Sequence, residues 1–165
     1  MFKIGRVITL LLIIAALTAC TPIAPGLQVD GGGSAGVQVG LIFTPAEGEV
    51  VTRMATVEPE ATALDALEAS GVQMTVAQTD FGPAICAILE VGQPEDNCFG
   101  DTEGRFWALF ILNADGEWET AQVGAGDLVV ENEMVLGFAW TGSDANYNPV
   151  RQPPVHLFDE LMGGQ

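Results

Sequence analysis

Positive charge is what this chain has least of. Lysine and arginine together number 5 in 165 residues, against 22 aspartates and glutamates, for a formal net charge of −17. Lysine occurs only at Lys3, histidine only at His156 and tyrosine only at Tyr147. So acidic a chain repels nucleic acid and anionic lipid headgroups, which removes both as electrostatic partners. The shortage of histidine and lysine also removes most bases and activated nucleophiles. Ser/His/Asp or Cys/His machinery would have to be built on His156, which lies among the prolines of the C-terminal stretch. Carboxylates are so numerous that no pair stands out by its spacing. The expectation is a protein that is not an enzyme and takes no cofactor or metal. The acidity itself reads as a solubilising surface on a folding domain, because clear apolar runs remain throughout the chain.

Only one apolar run is long, residues 7–19. It follows Lys3 and Arg6 and ends in Leu17-Thr18-Ala19-Cys20. A basic stretch, an apolar stretch and small residues before a cysteine resemble a bacterial lipoprotein signal. As a helix the run reaches ~20 Å at ~1.5 Å per residue, short of a ~30 Å hydrocarbon core, so a permanent transmembrane helix is the weaker reading. An ordinary secretory signal with a cysteine near its cleavage site is the plainer alternative. The reading adopted is cleavage before Cys20, lipidation of Cys20 and attachment to a bacterial membrane on its extracytoplasmic side. The lipid bilayer is then a partner through the lipid, not through a basic patch. Past Cys20 no lysine remains, and the cations are Arg53, Arg105 and Arg151.

Cysteine is scarce too. Besides Cys20 there are Cys86 and Cys98, on the exported side where disulfides persist. A bridge between them closes a short loop containing Pro94 and stabilises the fold by roughly 2–3 kcal/mol in the chain-entropy view. Pairing is the economical assignment; free thiols, or a metal pair completed by carboxylates, are the alternatives. Glu95, Asp96, Asn97, Asp101 and Glu103 offer oxygens of the kind calcium takes, but without the EF-hand order, and a solvated acidic loop is expected there.

Residues 21–36 carry Pro22, Pro25 and Gly31-Gly32-Gly33-Ser34 and read as a flexible tether. No strand precedes the glycines and no lysine follows them, so they are not a phosphate loop. Alternation then sets in. Residues 37–43 and 49–57 read as a strand pair around turn chemistry at 45–48. Residues 62–71 read as a helix between Pro59 and Gly71, with Thr62 and Asp65 spaced as a capping box and Leu64 and Leu67 as its apolar stripe. Residues 72–77, 84–89, 105–112 and 135–140 read as further strands, and Asn113-Ala114-Asp115-Gly116 as a hairpin turn before Trp118. A hairpin, one helix crossing and more strands point to an α+β fold, a β-grasp-like mixed sheet with one packed helix. The organisation is a signal peptide at 1–19, the lipidated cysteine and tether at 20–36, the domain at 37–141 and a proline-containing tail at 142–165. The apolar run at 155–162 within that tail either docks as a turn of helix or contacts a partner.

Phe81-Gly82-Pro83-Ala84-Ile85-Cys86-Ala87-Ile88, Phe106-Trp107-Ala108-Leu109-Phe110, Asp115-Gly116-Glu117-Trp118, Val123-Gly124-Ala125-Gly126 and Gly137-Phe138-Ala139-Trp140 follow one another in this order after residues 61–71. In this order the chain resembles the transcobalamin C-terminal-like domain family, within the soluble-ligand-binding β-grasp group, whose relatives include the animal cobalamin carriers. The resemblance implies a β-grasp fold and a small soluble ligand, cobalamin-like by analogy. Where the family carries an aromatic-Trp-Ser-Tyr-Trp run, this chain has Phe106-Trp107-Ala108-Leu109-Phe110, without those hydroxyls. Its Asp-Gly-Asp turn becomes Glu131-Asn132-Glu133, with Asn132 able to take the left-handed conformation. The candidate ligand-binding side chains are Phe106, Trp107, Trp118 and Trp140. Trp107 and Trp140 fall within strands, where core packing is the alternative, and Trp118 between Glu117 and Glu119 is expected to be the exposed one. The competing function is a non-catalytic envelope module that binds a protein through a sheet edge or its acidic face.

Overall fold

Val39, Leu41 and Phe43 are fully buried on one side of the first strand, and Ile42 is fully buried on the other. This alternation belongs to a strand at the centre of a sheet with both faces covered. The computed structural model describes residues 36–164, so the lipidation motif at Cys20, the signal peptide and all of the tether before Gly36 lie outside the described residues. The elements are β1 (Val37–Thr44), β2 (Val51–Val57), α1 (Ala63–Ala69), β3 (Met74–Thr79), β4 (Gly82–Ile88), β5 (Val91–Gly92), β6 (Phe106–Leu112), β7 (Trp118–Thr120), β8 (Met134–Thr141) and α2 (Phe158–Gly163). The fold is α+β: a five-stranded sheet in the order β2-β1-β8-β6-β7 and a three-stranded sheet in the order β3-β4-β5. β1 and β8 run parallel and the other neighbours antiparallel, so the larger sheet is mixed.

Helix α1 begins as its sequence dictates. The Thr62 hydroxyl accepts from the Asp65 N–H at 3.3 Å while the Asp65 carboxylate accepts from the Thr62 N–H at 2.7 Å, an aspartate filling the usual glutamate role. Two more first-turn donors are met by the loop before β8: Ala63 N–H donates to the Leu128 carbonyl and Leu64 N–H to that of Ala125. The helix buries Ala63, Ala66 and Leu67 against Val39, Leu41, Phe43, Leu136 and Phe138 of the sheet. Leu64 is only half-buried, so alanines carry part of the stripe expected of Leu64 and Leu67. Phe43 and Phe138 stack with ring centroids 5.5 Å apart, and each fully buried phenylalanine contributes roughly 1.5–3 kcal/mol.

Strands expected at 72–77 and 84–89 are present but leave the main sheet. A bulge separates the Thr75–Ala87 pair from the Val76–Ile85 pair, making Cys86 the extra residue of β4. β5 then turns back on β4 through Gly92, whose Cβ, if it had one, would meet the Cys86 carbonyl oxygen. The reverse face of the larger sheet is closed by the C-terminal segment. Leu161 of α2 packs on Ile42 and Val135, and Gly40 leaves the room it fills. Thus the apolar run near the C-terminus docks on its own sheet. The turn before β8 differs in detail from expectation. Glu133, not Asn132, holds the left-handed conformation (φ 66°), and Asn132 instead accepts from the Gln38 N–H at 3.0 Å.

Candidate functional site

β7 is short, and the consequence is a cleft. It pairs only with Phe110, Ile111 and Leu112, and one further bond runs from Ala121 N–H to the Leu109 carbonyl at 2.9 Å. Beyond that point no strand among the described residues pairs with β6 on this side. The space there, about 610 Å³, is bounded by β6 on one side and by Pro83, Ala84 and Ile85 of β4 on the other, with Gly124 and Ala125 at its end. Trp107 and Trp140, cross-strand partners, form its floor with ring centroids 5.9 Å apart and planes at 48°. Trp107 is fixed, since its indole N–H donates to the Val91 carbonyl at 2.9 Å. It offers a cleft ligand an apolar surface rather than a donor.

The rim is aromatic. Among the described residues the exposed aromatic side chains are Phe81, Phe99, Phe106 and Tyr147, and all but Phe81 line this cleft. Phe99 is 79% and Tyr147 88% exposed, on a protein whose other aromatics are mostly buried. The exposed aromatics, unlike the exposed aliphatics, are thus mostly gathered around one concavity. Phe99 is held there by its neighbour: Cys98 is disulfide-bonded to Cys86, with Cα atoms 4.7 Å apart, and Cys98 also lines the cleft. Tyr147 is presented by a tight loop in which Asp144 accepts from the N–H groups of Asn146 and Asn148, and Tyr147 itself is left-handed (φ 64°). Those backbone bonds, Asn148 first, hold the Asp144 carboxyl below the usual carboxylate range.

Arg105 is the charged residue of the lining, and its charge is answered locally. Its guanidinium lies 3.1 Å from Asp101 and 3.3 Å from Glu103, and sits 5.7 Å from the Trp140 ring centroid. The Asp101 side chain is 5% exposed and also accepts from Gln93 Nε2 and from the N–H groups of Glu103 and Arg105. The Arg105 side chain and then its N–H hold this carboxyl down to about 2. The acidic loop is therefore a clamp between the disulfide and the start of β6. Glu95–Asn97 form a 3-10 turn, and no group of histidine, cysteine and carboxylate side chains that could hold a metal ion is found among the described residues.

The sequence-derived candidates divide. Phe106, Trp107 and Trp140 meet in the cleft, the two tryptophans serving as core and as floor at once, at 7% and 6% exposure. Trp118 does not join them. It crosses to the reverse face, packs edge-on to Phe110 with centroids 6.3 Å apart, and leaves its indole N–H buried without a partner among the described residues. Flanking glutamates suggest exposure, yet on a three-residue edge strand they point away while the indole folds inward over Gly137. Phe99, Tyr147 and Arg105 line the same cleft and were not picked out by the sequence pattern. The signal for Phe99 was its position beside Cys98 in a short disulfide loop, where an aromatic has no core to reach. His156 lies 3.7 Å from Glu160, outside the cleft lining.

No family model matches the chain, and no curated protein matches it. Among solved structures the chain has a distant similarity to haptocorrin, in a crystal structure described as a complex with Cbi. The identity is 20% and the TM-score 0.48, over 64% of this chain and 25% of that one, so this chain spans about a quarter of its length.

Proposed function

We propose that this chain is a non-catalytic lipoprotein, anchored through Cys20 outside a bacterial cytoplasm, whose domain takes a small soluble ligand into the cleft beside β6. The observation that carries the reading is the gathering of Phe99, Phe106 and Tyr147 around the Trp107–Trp140 floor. An apolar concavity with a few fixed polar groups is what a soluble ligand of modest size needs. The test is tryptophan fluorescence and thermal shift of the full chain against a panel of small molecules. Corrinoids come first, because the sequence resembles a family related to cobalamin carriers. Saturable quenching or a raised melting temperature supports the reading. No response across the panel, with co-purification of an envelope protein, favours the protein-binding alternative.

The anchoring part rests on Leu17-Thr18-Ala19-Cys20 and is supported by the Cys86–Cys98 bond, which suits an oxidising compartment. Cys20→Ala should abolish fatty-acid labelling and release the chain from the membrane fraction. Labelling that survives the substitution contradicts the anchor.

A further inference from the structure

We propose that the ligand of this cleft is a short peptide, bound extended as an added strand on the open edge of β6; this rests on the ligand-binding reading above. The ladder identifies the backbone groups left without a strand partner among the described residues. Ala121 N–H donates to the Leu109 carbonyl and Asn113 N–H to the Glu117 carbonyl, so Leu109, Ile111 and Asn113 direct their backbone groups toward β7. Trp107 shares their parity. Its N–H and C=O point away from β8 to the side that β7 has left, where the cleft opens. A donor and an acceptor on one residue form the pair that an antiparallel neighbour engages.

The edge is bounded at both ends. Leu109 already accepts from Ala121, and Arg105 N–H already donates to Asp101 Oδ1 at 3.0 Å. Between them the stretch from Phe106 to Ala108 is ~10 Å at ~3.3 Å per residue, room for a few extended residues and not for a long strand. Charge narrows the choice further. Arg105 is neutralised by Asp101 and Glu103, while an Asp127 carboxylate oxygen lies 3.9 Å from where a Cβ on Gly124 of the lining would stand and Asp144 is bonded to the backbone on either side of Tyr147. An acidic peptide is repelled, and a lysine-bearing one is attracted. Phe99, Phe106 and Tyr147 give its aliphatic portions a surface to lie on.

The experiment titrates the full chain with acetylated, amidated tetrapeptides of alternating valine and lysine. Matched peptides carry glutamate in place of lysine, or methylated backbone nitrogens. The readouts are the Trp107 backbone amide resonance and tryptophan emission. The proposal expects the Trp107 amide to move downfield on saturation. It expects binding about tenfold weaker for the N-methylated and the glutamate series, the loss of roughly one hydrogen bond or one charge contact. A Trp107 amide that stays in place, or affinity indifferent to N-methylation, overturns the peptide proposal. If the small-molecule panel still quenches the tryptophans in that case, the cleft remains a ligand site of another chemistry. If neither peptides nor panel elicit a response, the ligand-binding reading falls with it.

Discussion

Asp101 stands between the disulfide loop and β6, and its carboxylate is worth more folded than unfolded. Its pKa falls from 3.8 to about 2 because Arg105 donates to it from side chain and backbone. A depressed carboxylate pKa stabilises the fold above the unfolded value, and that contribution is lost as pH falls through the folded value. Asp101→Asn should therefore lower the melting temperature at pH 7, and the gap to the parent should narrow as pH drops from 4 toward 2. A gap that is constant across that range contradicts the assignment. The same sign holds for Asp65, lowered by its bonds from the Thr62 backbone and side chain. Phe99 makes the opposite kind of prediction. At 79% exposure it contributes little packing, so Phe99→Ala should leave the melting temperature within about 1 °C while weakening cleft binding. Thermal scans of the two proteins check the first half and a ligand titration the second.

At the scale of elements, close approach on the reverse face decides what the sheet tolerates. A Cβ on Gly137 would lie 2.9 Å from Pro153 and 3.0 Å from the Trp118 indole, both held by the C-terminal segment and β7. Gly137→Ala should cost roughly 1–3 kcal/mol by overpacking, read as a lower denaturation midpoint. An unchanged midpoint contradicts the clamp. Elements governed by their own residues were legible in the sequence. Alternation exposed β1, and the Thr62–Asp65 spacing exposed the start of α1. Elements governed by distant contacts were not. The bulge at Cys86 and the departure of β3 and β4 into a separate sheet leave no local pattern. The inward turn of Trp118 depends on Gly137 and Pro153, far along the chain. The left-handed residue before β8 is Glu133, while the Asn132 side chain bonds Gln38 far back in the chain. For the same reason Phe106, Trp107 and Trp140 could be picked out as aromatics on strands, whereas Phe99 and Tyr147 acquire a role only once loops bring them to one rim.

The molecule as a whole joins a rigid double-faced sheet to a rim built on one covalent tie. The Cys86–Cys98 bond closes a loop of sequence separation 12, which in the chain-entropy view stabilises the fold by ~3 kcal/mol. The paired variant Cys86→Ser with Cys98→Ser should lose about that much in a denaturant titration. It should also lose cleft binding, because the loop that carries Phe99 is no longer held. Full binding by the paired variant contradicts the role given to the loop. The central claim is that the aromatic cleft beside β6 is where this protein meets its ligand. Its most direct measurement is a fluorescence titration of the full chain and of Phe99→Ala, side by side, with whichever ligand quenches the parent. The account predicts saturable quenching of the Trp107–Trp140 pair in the parent, and a midpoint shifted about tenfold or more in the variant, ~1.4 kcal/mol of lost contact. Identical titration curves for the two proteins would contradict it.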